Sequence, residues 1–185
     1  QQNTESEGHS QMDLAIEKGI NFFDTAEMYS VPARKETYGS TEKIIGTWFK
    51  KSGKRADVIL ASKIAGPNPN FTYMRDTNDF SPKSIQFALE QSLQRLQTDY
   101  IDLYQLHWPE RKTNFFGQRG FKVQDDAWED NIHAVLETLD RFVKEGKINH
   151  IGLSNETPWG IMRFLEENKY HNLPRVKTVQ NPYSL

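Results

Sequence analysis

Apolar positions along the chain fall into two alternating kinds of segment. Short runs rich in β-branched or aromatic residues, Ile20 to Phe23, Val58 to Ala61, Ile101 to Leu106, Ile148 to Leu153 and Val176 to Val179, predict five strands. Between them, apolar residues recur at helical spacing. From Ser81, with Pro82 at the first helical position, Ile85, Leu89, Ser92, Leu93 and Leu96 line one stripe. A second helix runs from Ile132 through Val135, Leu136, Leu139, Phe142 and Val143 to Gly146, which can take the left-handed conformation that closes it. Shorter helices are predicted over 10–18 with Gly19 as cap, 40–51 with Gly53, and 157–169 with Pro158 near the start.

Regular helix-strand alternation implies a parallel sheet with right-handed crossovers, because parallel neighbours need a long return connection that the helix supplies. An open doubly wound sheet and part of a closed (β/α)8 TIM barrel share that pattern. The carboxyl ends of the strands separate them. They carry Asp24, Lys63, His107, Ser154 with Asn155, and Gln180 with Asn181. A barrel gathers such ends around one mouth, whereas an open sheet spreads them along an edge. Absence of a G-x-G-x-x-G segment after the first strand agrees with the barrel.

The 185 residues, 36% hydrophobic and 26% charged, suit a single domain over 1–185. A formal charge of -2 and scattered basic residues give no footprint for nucleic acid. No apolar run approaches a membrane span and the polar start is unlike a signal peptide, so no membrane partner and a cytoplasmic location are expected. With zero cysteines and five histidines lacking an H-x-x-x-H spacing, no metal is expected either.

Singly, a strand-end Asp reads as a cap and a strand-end Lys as a surface charge. As a set, Asp24, Lys63, His107 and Tyr29, in the loop after Asp24, suit proton transfer. A tyrosine hydroxyl, with an ordinary pKa near 10, needs a nearby cation to stabilise its phenolate, and Lys63 could supply it. Burial would strip the Lys63 proton unless a carboxylate such as Asp24 held it charged. His107 could donate to a substrate carbonyl or relay a proton.

These residues stand in contexts that resemble the aldo-keto reductase family. Gly19-Ile-Asn-Phe-Phe-Asp-Thr-Ala-Glu-Met-Tyr29 is similar to the family segment with the catalytic Asp and Tyr, Ile59-Leu-Ala-Ser-Lys63 to the strand with its Lys, and Tyr100-Ile-Asp-Leu-Tyr-Gln-Leu-His107-Trp-Pro to the segment with its His. Gly146-Lys-Ile-Asn-His-Ile-Gly-Leu-Ser154-Asn155 and Val179-Gln180-Asn-Pro-Tyr resemble the segments that hold the nicotinamide. Asn155-Glu-Thr, Trp108-Pro-Glu and the ending Asn181-Pro-Tyr-Ser-Leu are most similar to the bacterial Tas-type branch. The resemblance implies NADPH-dependent reduction of an aldehyde or ketone on a TIM barrel. Tyr29 would act as general acid tuned by Lys63 and Asp24, His107 would orient the carbonyl, and Ser154, Asn155 and Gln180 would fix the nicotinamide ring. A non-catalytic nicotinamide-binding regulatory subunit on the same fold is the alternative. Family barrels run to about 250 residues or more, so the chain is expected to be part of a longer one. The first strand, the last two strands, the nicotinamide-stacking Tyr and the loop gripping the 2′-phosphate would lie outside it.

The long segment Trp108 to Asp130, with Phe115, Phe116, Phe121 and Trp128, suggests an aromatic substrate wall or lid, with Trp108 as the substrate-contacting residue, though packing beneath a loop explains such a cluster equally well. Tyr73 and Arg75 read first as parts of a solvated loop. His9, His133, His150 and His171 have no acidic partner at a helpful spacing and are expected to be structural or exposed.

Overall fold

The computed structural model describes residues 3–116, 118, 120 and 127–183. Helix α1 (Glu5–Glu17) leads into β1 (Phe22–Asp24), followed by α2 (Ser40–Ser52), β2 (Ile59–Ile64), α3 (Pro82–Leu96), β3 (Ile101–Leu106), α4 (Ile132–Lys144), β4 (Ile148–Ser154), α5 (Pro158–His171) and β5 (Val176–Gln180). All four neighbouring strand pairs are parallel and the sheet order is the chain order, β1-β2-β3-β4-β5. Each strand advances one place in the same direction, as in the wall of a (β/α)8 barrel and unlike a doubly wound sheet, whose order reverses. The five strands form a curled half-barrel with helices.

Local chemistry sets the helix boundaries. Ser81 caps α3 by accepting from the Ser84 N–H, with Pro82 at the first helical position, and Thr157 caps α5 in the same way through Gly160. Helix α1 starts five residues earlier than its apolar pattern suggested. A reciprocal capping box between Thr4 and Glu7 begins it, a polar signal that hydrophobic spacing does not carry. At its far end the Ile20 N–H bonds back to the Ala15 carbonyl, so β1 starts at Phe22 and not at Ile20.

The core lies between helices and sheet. Ile85, Ala88, Leu89 and Leu96 of α3 and Val135, Leu136, Leu139 and Phe142 of α4 pack on Leu60, Ile64, Tyr104, Ile151 and Leu153. Burying such side chains, at roughly 25 cal/mol per Å² of apolar surface, drives the layers together. The inner side of the sheet is less covered: Phe22 and Ile59 at one edge are exposed. Among the described residues no helix is long and apolar enough to cross a membrane.

Candidate active site

Asp24 ends β1, Lys63 lies in β2, His107 follows β3, Ser154 ends β4 with Asn155 next, and Gln180 ends β5. Parallel register turns this sequence of strand ends into one cluster. Lys63 is level with Gln105 across β2 and β3, Gln105 with Gly152, and Ser154 with Gln180.

At its centre the buried Lys63 ammonium donates to Asp24 Oδ2 at 2.7 Å and to the Thr25 carbonyl at 2.8 Å. Asp24 also accepts from Gln105 Nε2 at 3.1 Å on Oδ1 and from Gln180 Nε2 at 3.3 Å on Oδ2. The second contact joins β1 to β5. The sheet therefore curls far enough for the side chains of its two edge strands to meet.

Lys63 Nζ lies 5.2 Å from the centroid of the Tyr29 ring, and that ring stands edge-on to His107 with centroids 5.7 Å apart. The fold thus brings Asp24, Tyr29, Lys63 and His107 together. Their electrostatics differ from the simple expectation in one respect. The Tyr29 pKa lies above the usual tyrosine value, because burial and then the Asp24 charge disfavour the phenolate. Lys63, engaged by Asp24, does not offset them. Burial lowers the Lys63 pKa while Asp24 opposes the fall.

His107 is pushed down to about 3, first by burial and then by the Lys63 charge, so its ring is neutral at ordinary pH. Its Nδ1 is buried without a hydrogen-bond partner among the described residues.

Asn155 takes a left-handed backbone conformation, φ +52°. From there Nδ2 donates to the His107 carbonyl at 2.9 Å and to Ser154 Oγ at 3.1 Å, while Ser154 Oγ donates to the Gln180 carbonyl at 3.1 Å. Asn155 thereby ties the end of β4 to the residue after β3. The side-chain carbonyl oxygens of Asn155 and Gln180 accept no hydrogen bond among the described residues, and amide acceptors of this kind fit a carboxamide such as that of nicotinamide. A cleft of about 240 Å³ opens beside Asn155, lined also by Phe115, Phe116 and Asn181.

Trp108 is placed differently from an open substrate wall. It is 2% exposed, packed with Ala65, Phe71 and Met74, and its indole N–H donates to the Pro67 carbonyl at 3.2 Å. Phe116, 58% exposed and edge-on to both His107 and Trp108, is a ring that the described part of this loop presents at the mouth. Phe121 lies outside the described residues. Arg75 is not in a solvated loop: it is buried, donating to Glu27 Oε1 at 2.7 Å and to the Ala65 carbonyl at 2.6 Å.

Gln105 was missed because it lies inside a strand and meets Asp24 only through the fold. The histidine reading also changes. His133 and His171 do have acidic partners: Glu137 and Glu167 stand four residues from them on their own helices, and packing of α4 against α5 sets His133 beside Glu167 as well.

The profile described as the aldo/keto reductase family matches residues 1–185. Protein tas of Escherichia coli (strain K12) is 48% identical, over 100% of this chain and 54% of its own length. An uncharacterized oxidoreductase, YrpG of Bacillus subtilis (strain 168), is 36% identical over 94% of the chain and 48% of its own length. The chain thus spans about half the length of the curated relatives it matches. Among solved structures, an aldo/keto reductase from Klebsiella pneumoniae in complex with NADP and acetate superposes with a TM-score of 0.59 at 27% identity, covering 85% of this chain and 42% of that one. Five parallel strands in chain order, polar side chains gathered at one mouth, and a family match over every residue lead to one assignment: the chain belongs to the aldo/keto reductase family.

Proposed function

We propose that the protein carrying this chain reduces an aldehyde or ketone to an alcohol with NADPH, and that Tyr29 is its general acid. The observation that carries the reading is the meeting of Tyr29, Lys63 and His107 around Asp24, over a sequence span from 24 to 107. NADP bound in the Klebsiella pneumoniae relative supports the choice of cofactor.

Ser154, Asn155 and Gln180 would hold the nicotinamide, with the free side-chain oxygens of Asn155 and Gln180 as acceptors for its amide. When bound, the reduced ring supplies the hydride. The remaining chemistry belongs to the chain. Tyr29, held as a neutral phenol by its raised pKa, donates its proton to the carbonyl oxygen as charge develops there. The Lys63–Asp24 ion pair beside it would lend a local field without taking the proton. Neutral His107 orients the carbonyl by a hydrogen bond from its ring. Phe116 and its neighbours in the loop after β3 would exclude water from the substrate.

Tyr29→Phe tests the assignment in the protein carrying these residues. Loss of at least about a hundredfold in carbonyl-reduction kcat, with NADPH affinity by Trp fluorescence nearly unchanged, is the expected result. Unaltered turnover removes Tyr29 from the role.

A further inference from the structure

Outside the barrel mouth, on the outer face where α4 meets α5, three side chains of another chemistry converge. His133 stands in the first turn of α4, and Glu167 and His171 lie four residues apart on α5. One ligand-capable atom from each lies within 4.8 Å of the other two. We propose that His133, Glu167 and His171 bind a divalent transition ion of the zinc class.

The donor set selects the ion. Two imidazoles and one carboxylate suit zinc, cobalt, nickel or copper, whereas magnesium and calcium favour oxygen donors throughout. Three protein ligands also match a tetrahedral site whose fourth position is filled by water.

Geometry is close to what binding needs. His133 Nδ1 is 2.5 Å from Glu167 Oε2, and His171 Nε2 is 3.8 Å from the same oxygen. Ligand bonds of about 2.1 Å in a tetrahedron put donor atoms roughly 3.4 Å apart. An ion in place of the proton between His133 and Glu167 therefore requires the first pair to open by roughly 0.9 Å and the second to close by roughly 0.4 Å.

Two surrounding contacts prepare the donors. Arg163 Nη1 holds Glu167 Oε1 at 2.5 Å, which fixes the carboxylate with Oε2 turned to the imidazoles. Glu137 Oε1 faces His133 Nε2 at 3.4 Å, so a proton kept on Nε2 leaves the Nδ1 lone pair for the metal. A carboxylate behind a ligating histidine is the usual outer-shell partner of bound zinc. Asp130 and Glu166 also lie against Arg163, so negative charge exceeds positive around the site.

The experiment uses the EDTA-stripped protein carrying this chain, with Co²⁺ as a visible probe and Zn²⁺ as competitor. Expected is one equivalent of Co²⁺ producing ligand-field absorption, displaced by Zn²⁺ and weakened about tenfold or more in His171→Gln. The His171 side chain is 54% exposed, so this variant leaves the fold intact. His171→Cys gives the decisive readout: it should retain Co²⁺ and add a sulfur-to-cobalt charge-transfer band that the unsubstituted protein lacks. No saturable absorption at one equivalent, an unchanged titration in His171→Gln, or no charge-transfer band in His171→Cys each overturns the site.

Discussion

Lys63 Nζ and Asp24 Oδ2, from neighbouring strands, form a 2.7 Å ion pair in which the lysine side chain is 1% exposed and the carboxylate 29%. The asymmetry matters because Lys63 depends on Asp24 for its charge, while Asp24 has Gln105 and Gln180 as further partners.

Removing the carboxylate charge should therefore cost more than removing both charges. Asp24→Asn is expected to destabilise the fold by on the order of 2–4 kcal/mol, since it strands a buried ammonium. Asp24→Asn combined with Lys63→Met should recover part of that loss, read by denaturant unfolding. Carbonyl reduction should fall in both variants. A double variant less stable than Asp24→Asn alone would contradict the dependence.

His107 gives a pH signature with a definite sign. Its folded-state pKa of about 3 lies below its unfolded value of 6.5, so the unfolded chain binds the extra proton first as pH falls. The associated stability is fully present above pH 6.5 and is lost as pH falls from there towards 3. Between pH 7 and pH 5, the native protein should lose about 2 kcal/mol relative to His107→Gln. Equal pH slopes for the two proteins, in unfolding titrations, would contradict the buried neutral ring.

The strand order and the convergence of strand-end side chains at one mouth could be read from sequence because strands carry their information locally. Ile101 to Leu106 is a strand by its apolar run alone, and the residue after it must lie at the sheet's carboxyl edge. Asp24, Lys63 and His107 follow by the same rule. Gln105 does not, because its partner Asp24 is 81 positions away and no local pattern marks a strand glutamine as inward-facing. The pairs of His133 with Glu137 and of His171 with Glu167, each four residues apart on one helix, were legible in the sequence and were overlooked. The meeting of His133 with Glu167 was not, because packing of α4 on α5 creates it.

Gly152 marks a close approach on the inner wall of the sheet. A Cβ added there would collide with Thr178 Oγ1 and press on Gln105 Cγ and Leu103 Cδ1. Gly152→Ala is therefore expected to cost about 1–3 kcal/mol through overpacking. It should also push Gln105 away from Asp24, so kcat should fall in Gly152→Ala and in Gln105→Leu alike. Normal turnover in Gln105→Leu would show that Asp24 needs no support from β3.

Beneath the Tyr29 loop, Glu27 and Arg75 form a second buried pair, and here the stranded partner would be an acid. Burial raises the Glu27 pKa, and the Arg75 charge is the largest influence holding it down. Arg75→Ala should thus destabilise the protein by about 3–5 kcal/mol at neutral pH, where Glu27 must either stay ionised without its cation or take up a proton. A folded-state pKa above the unfolded one gives stability that is present at low pH and lost as pH rises. The deficit of Arg75→Ala against the native protein should accordingly shrink between pH 7 and pH 5, and Arg75→Ala with Glu27→Gln should show no such recovery. If the deficit is instead the same at both pH values, loss of the hydrogen bond from Arg75 to the Ala65 carbonyl, and not the stranded charge, dominates the effect.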